Sequence, residues 1–124
     1  MKKYIYILVG LVILGGIIFL MMTPGKPGKL NAFATCLKDK GAIFYGAFWC
    51  PHCQNQKALF GKSAKLLPYV ECSTPNGQAQ LQSCIDAGIK TYPTWQFNGS
   101  STDRLTGEIA LATLAEKTSC ELPQ

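Results

Sequence analysis

Charge is missing from the first part of this chain. Between Tyr4 and Met22 there is no charged residue and no Asp, Asn, Gln or Pro. That absence excludes a surface helix, which would carry a polar face. Nineteen uncharged residues span roughly 28 Å at about 1.5 Å each, close to the bilayer hydrocarbon thickness of about 30 Å. No small-x-small cleavage pattern follows closely; the nearest, Ala32-Phe33-Ala34, lies ten residues further on. An uncleaved signal anchor over residues 1–22 is therefore favoured over a removable signal peptide. No Cys closely follows the run, which disfavours a lipoprotein anchor, and no early acidic residue supports a pilin-type start. Lys2 and Lys3 keep the N-terminus in the cytoplasm, so residues 23–124 are expected outside it, in the periplasm or at the cell exterior.

Further absences bear on the exported part. Its ten Lys/Arg and seven Asp/Glu include no basic run, so nothing points to nucleic acid. There is no internal repeat and no low-complexity tract. Only one Cys-x-x-Cys is present, Cys50-Pro51-His52-Cys53, whereas a zinc ribbon pairs two, and no metal site is expected. Gln54 stands where haem attachment needs His. What is plentiful is cysteine. Six in about a hundred exported residues point to an oxidising compartment.

Residues 23–29 (Thr-Pro-Gly-Lys-Pro-Gly-Lys) read as a linker, leaving 30–124 as one domain. Apolar spacing predicts a helix over Leu30–Lys40, stopped by Gly41. Ala42–Trp49 reads as a buried strand. A helix from Pro51 is predicted to reach Leu67, with a bend at Gly61, and Pro68 ends it. Tyr69–Cys72 is a second strand and Gln78–Ala87 a third helix closed by Gly88. Thr94–Phe97 and Thr102–Leu105 form a hairpin about Asn98-Gly99, and Glu108–Thr118 is a final helix. Asn98-Gly99-Ser100 also matches a glycosylation acceptor and is read here as a turn. Two strands joined through a helix should be parallel. The class is α/β, a small mixed sheet with helices on both faces. A domain of this size is marginal without covalent staples.

Cys50-Pro51-His52-Cys53 lies between a strand and a helix, so the first sulfur meets free helix N–H groups and the positive end of the dipole. A thiolate is stabilised there, and a thiolate attacks disulfides. Cys50, the more exposed, is the expected nucleophile; Cys53, one turn inside the helix, is the expected resolving thiol. Pro51 suits the first helical turn. His52 is read as a donor to the thiolate, or alternatively as a solvated spacer. A more stable thiolate makes the disulfide a stronger oxidant. Trp49, next to Cys50, and Tyr92, with Thr91 beside it, are candidate substrate contacts, whereas Trp95 and Phe97 alternate along one strand face and read as core. Pairing Cys72 with Cys84 would close a short loop, as structural staple or redox relay. Parity leaves Cys36 and Cys120 for a third bridge.

Trp49 to Cys53 followed by Tyr92-Pro93-Thr94 resembles the thioredoxin superfamily, and Cys-Pro-His-Cys is the dipeptide choice of DsbA-like oxidants. A longer set is similar to the thioredoxin-like domain fused to bacterial and plant vitamin K epoxide reductase-like proteins. It comprises Gly41-Ala42, Tyr45 to Cys50, Gln56-Lys57, Leu59-Phe60-Gly61, Tyr69 to Cys72, Tyr92 to Trp95 and Leu105 to Glu108. The resemblance covers roughly residues 31–120. It implies a thioredoxin-like fold with Pro93 cis and facing Cys50, and a second cysteine pair at Cys72 and Cys84. It also implies a protein oxidant recycled by a quinone-linked membrane enzyme. The chain departs from it in two ways. One apolar helix stands where the relatives have a four-helix reductase domain, so quinone chemistry is assigned to a separate partner and no cofactor to this chain. Many thioredoxins carry a buried Asp six residues before the first Cys; Phe44 is there instead, which suits an oxidant. The expected function is a membrane-anchored thiol–disulfide oxidoreductase that donates disulfides to exported cysteine-containing proteins. A reductase or isomerase, and a tethered binding module with purely structural disulfides, are the alternatives.

Overall fold

The structure, a computed structural model, describes residues 1–23 and 25–124. Pro24, within the predicted linker, lies outside the described residues. Helix α1 (Lys2–Met22) is followed by α2 (Asn31–Asp39), β1 (Ile43–Gly46), α3 (Pro51–Phe60), a 3₁₀ segment (Gly61–Leu66) and β2 (Tyr69–Glu71). Then come α4 (Gln82–Asp86), β3 (Thr94–Gln96), β4 (Arg104–Thr106) and α5 (Leu111–Thr118). By length and composition α1 could cross a membrane, and all its residues are exposed.

The sheet order is β2-β1-β3-β4. β1 runs parallel to β2 and antiparallel to β3, and β3 pairs antiparallel with β4. Successive strand residues point to opposite faces, and this splits the core in two. Phe44 faces the larger cluster, with Phe33 and Leu37 of α2, Phe60 of α3, Trp95 and Leu114 of α5. It stacks on its register partner Trp95 at 4.8 Å and meets Tyr69 edge-on at 5.2 Å. Tyr45 faces the smaller cluster, with Cys72, Cys84 of α4 and Ile89. Helices therefore cover both faces, an arrangement compatible with a thioredoxin-like fold.

Several elements differ from their predicted extents: β1 ends at Gly46 rather than Trp49, and β4 runs over Arg104–Thr106 rather than Thr102–Leu105. α3 stops at Phe60 because Gly61 adopts φ +52, and the chain continues to Leu66 as a 3₁₀ turn. α4 starts at Gln82, not Gln78. Residues 73–81 instead fold back as an arm, with Ser73 bridging Gln80, the Thr74 N–H donating to the Ala79 carbonyl and that of Leu81 to the Cys72 carbonyl. Thr74 and Asn76 side chains also bond local backbone, drawing it from the helix. α5 starts at Leu111, because the Ile109 N–H donates to buried Gln56 at 2.6 Å. In the hairpin, Asn98 and Gly99 both take positive φ, as a tight primed turn requires.

Candidate active site

β1 ends at Gly46, and after residues 47–49 the chain enters α3 with Cys50 as N-cap. Cys50 is extended, its N–H donates to the Ala47 carbonyl, and its Sγ accepts the Cys53 N–H at 3.3 Å. Pro51 occupies the first turn, where its missing donor costs nothing. Cys50 and Cys53 are free thiols, and both are buried, with 4% and 1% exposure. The order of exposure matches the expectation, but Cys50 is far from open to solvent. A Cβ on Gly46 would come within 2.9 Å of both the Cys53 Sγ and the Tyr69 ring, so glycine there gives the inner sulfur its room. Burial, then the hydrogen bond with Cys50, pushes the Cys53 thiol up to about 12.

A polar cluster from β2 braces this turn. Glu71 Oε1 accepts the backbone N–H groups of Phe48 (3.2 Å) and Ser73 (2.9 Å), while Oε2 accepts the Tyr69 hydroxyl (2.8 Å). The Trp49 indole donates to Ser73 Oγ at 2.8 Å. Lys57, one turn beyond Cys53, holds its ammonium 3.3 Å from the Tyr69 ring centroid. Burial and the bond to Glu71 push the Tyr69 hydroxyl upward.

His52 differs from its expected role. Its ring, 69% exposed, bonds through Nδ1 to Glu108 Oε1 at 2.6 Å, not to the Cys50 sulfur. The same oxygen accepts from Asn55 at 2.9 Å. These bonds, that from Asn55 first, hold the Glu108 carboxyl below its ordinary range.

The Tyr92–Pro93 bond is cis. Pro93 is buried, its carbonyl accepting from Gly107 at 2.9 Å, while Thr91 is exposed and its carbonyl accepts the Thr94 hydroxyl. Trp49, half exposed, meets Tyr92 edge-on at 6.1 Å. The two rings and arm residues 77–80 line a groove of about 200 Å³. Trp95 and Phe97 lie in the core. Cys72 is joined to Cys84 and Cys36 to Cys120.

A free cysteine pair on a helix N-terminus, with a cis-proline and aromatic walls, can be compared with known proteins. No family model matches the chain. Over 98 residues it is 48% identical to the thiol-disulfide oxidoreductase LTO1 of Arabidopsis thaliana. That alignment covers 75% of this chain and 25% of the relative, so it reaches about a quarter of the relative's length.

A second cavity, of about 640 Å³, lies elsewhere. Residues 26–30, 58–62 and Pro123-Gln124 line it, at the C-terminal end of α3, and no predicted site residue takes part. Gly46, Lys57, Glu71 and Glu108 fall within the stretches of family resemblance, but no short motif marks a role for them. An acid inside the predicted strand Tyr69–Cys72 was the available signal for Glu71.

Proposed function

We propose that this chain is a thiol–disulfide oxidoreductase whose Cys50–Cys53 pair donates disulfides to exported proteins. The observation that carries the reading is the pair itself: Cys50 capping α3, and Cys53 beneath Gly46 with its thiol raised to about 12. The name of the Arabidopsis relative supports the same chemistry.

In the oxidised form a substrate thiolate attacks the Cys50 sulfur. The Cys50–Cys53 bond breaks, a Cys50–substrate disulfide forms, and Cys53 leaves with the electron pair and takes up a proton. A second substrate thiolate then attacks the substrate sulfur of that mixed disulfide. The substrate disulfide forms, Cys50 leaves as a thiolate, and the protein has gained two electrons. Cys53 is the poorer target because burial hides it. Once protonated it returns to its thiolate reluctantly, so the reverse, resolving attack is slow and the mixed disulfide persists for the second substrate thiol. An acid in the position of Phe44 would assist that deprotonation; Phe44 is instead packed between Trp95 and Tyr69. Trp49, Tyr92 and Pro93 make the substrate-facing wall, and Thr91 lies at its edge. Complete burial of Cys72 and Cys84 favours a staple over a relay. Lys2–Met22 anchors the domain to the outer side of the cytoplasmic membrane, and a separate quinone-linked membrane enzyme reoxidises the pair.

The test is disulfide formation in a reduced, unfolded protein. Wild type oxidises it and Cys50→Ala does not; activity in that variant would end the assignment. A potential near −120 mV supports donation, whereas one near −270 mV would make the chain a reductant. A Cys50–Cys53 bond inert to mild reductants would instead support a tethered binding module. Cys53→Ala should trap clients and the recycling enzyme on Cys50 as mixed disulfides.

A further inference from the structure

Glu108 is a carboxylate brought to the reactive turn from the far side of the sheet. It follows β4, and three contacts fix its segment. The Gly107 N–H donates to the Pro93 carbonyl at 2.9 Å. The Ile109 N–H donates to Gln56 Oε1 at 2.6 Å, and Gln56 Nε2 donates to the Ile109 carbonyl at 3.0 Å. Glu108 thus sits between two anchored neighbours, one tied to the cis-proline and the other to Gln56 of α3. Its Oε1 takes His52 Nδ1 at 2.6 Å and Asn55 Nδ2 at 2.9 Å.

A carboxylate only accepts, so Nδ1 carries the proton and donates it. That donor is consequently not available to the Cys50 sulfur. The other charged groups of the turn are engaged elsewhere: Glu71 accepts from Phe48, Ser73 and Tyr69, and Lys57 lies over the Tyr69 ring. A donor or cation beside a thiolate stabilises the reduced form and makes the disulfide more oxidising. A carboxylate that holds the donor away from the sulfur does the reverse.

Building on the exchange activity proposed above, we infer that Glu108 is a positioning residue that restrains the oxidising power of the Cys50–Cys53 pair by holding His52 through Nδ1. It touches neither the substrate nor the reacting sulfurs.

The experiment is a double-mutant cycle on the full chain in detergent, equilibrated with reduced and oxidised glutathione. Protein disulfide plus two glutathione thiols gives protein dithiol plus glutathione disulfide, and its equilibrium constant is read by alkylating the free thiols. Glu108→Ala should raise that constant about three- to tenfold, roughly 15 to 30 mV. Glu108→Gln, which keeps an acceptor but no charge, should lie between Glu108→Ala and wild type and covers the case in which the alanine variant misfolds. In a His52→Ala background the effect of either substitution should vanish. An unchanged or lowered constant, or an equal shift without His52, overturns the role of Glu108 while leaving the exchange activity standing. A wild-type pair that fails to equilibrate with glutathione overturns both.

Discussion

Gly46 sets how closely β1 can approach the inner sulfur. Its replacement by Ala puts a methyl group against Cys53 and Tyr69, contacts that packing cannot absorb without displacement. Gly46→Ala is expected to cost about 1–3 kcal/mol, measured by denaturant unfolding of the oxidised protein. Cys53 itself predicts a pH dependence. Its folded-state thiol is raised from 9.0 to about 12 by burial. Below pH 9.0 folded and unfolded chains both keep the proton. Above it the unfolded chain releases the proton first, so the dithiol form loses stability as the pH rises towards 12. The disulfide form has no such proton. The stability of the reduced protein relative to the oxidised protein should therefore fall from pH 9 to pH 11 in paired thermal melts, and a constant difference would contradict the burial of Cys53. The Cys50–Cys53 pair stood out in the sequence because residue type and short spacing carry its chemistry, whereas Tyr92 and Pro93 lie about forty residues further on and were pointed to by the family resemblance. The roles of Glu108 and Glu71 were not legible, since their partners lie 56 and 23 residues away for His52 and Phe48.

The β1–α3 unit was readable as an element: an apolar strand, a proline at the first helical turn and a helix after it. The following elements were less so. The run from Gln78 to Leu81 has helical composition, yet its backbone bonds go to Thr74 and Cys72, contacts made only once β2 and α4 are joined. The Cys72–Cys84 bridge, with a separation of 12, holds that arm at the base of the groove beside Trp49. Its loss, in a Cys72→Ser, Cys84→Ser variant, should cost about 3 kcal/mol in the chain-entropy model. The Cys36–Cys120 bridge spans 84 residues and ties α2 to the end of α5. Its removal should cost more, about 4 to 5 kcal/mol by the same model. Unfolding midpoints of the two double-serine variants check the order, and Cys50 should remain alkylable in both.

At the scale of the molecule, the chain entering the domain is pinned at one end of α3 and the thiols sit at the other. Gly28 packs so closely on Ser63 that a Cβ would overlap its hydroxyl, and the Leu30 N–H donates to that Ser63 oxygen at 3.1 Å. The ten residues of α3 separate this attachment from Cys50 by about 15 Å. With α1 inserted in vesicles, the reactive end should stay accessible. An impermeant maleimide added outside outward-oriented proteoliposomes should label Cys50 in the reduced protein, and protection there would contradict this placement.

Apolar periodicity, the single Cys-x-x-Cys and six cysteines by themselves determined the α/β class, the apolar N-terminal helix and the chemistry to look for, because these are properties of neighbours along the chain. Tertiary structure alone decided what surrounds the two sulfurs. Cys53 lies under Gly46, Glu71 braces the turn and His52 is turned towards Glu108 because strands and loops distant in sequence are brought within hydrogen-bonding range. Such contacts depend on how the sheet closes, and no local pattern encodes them.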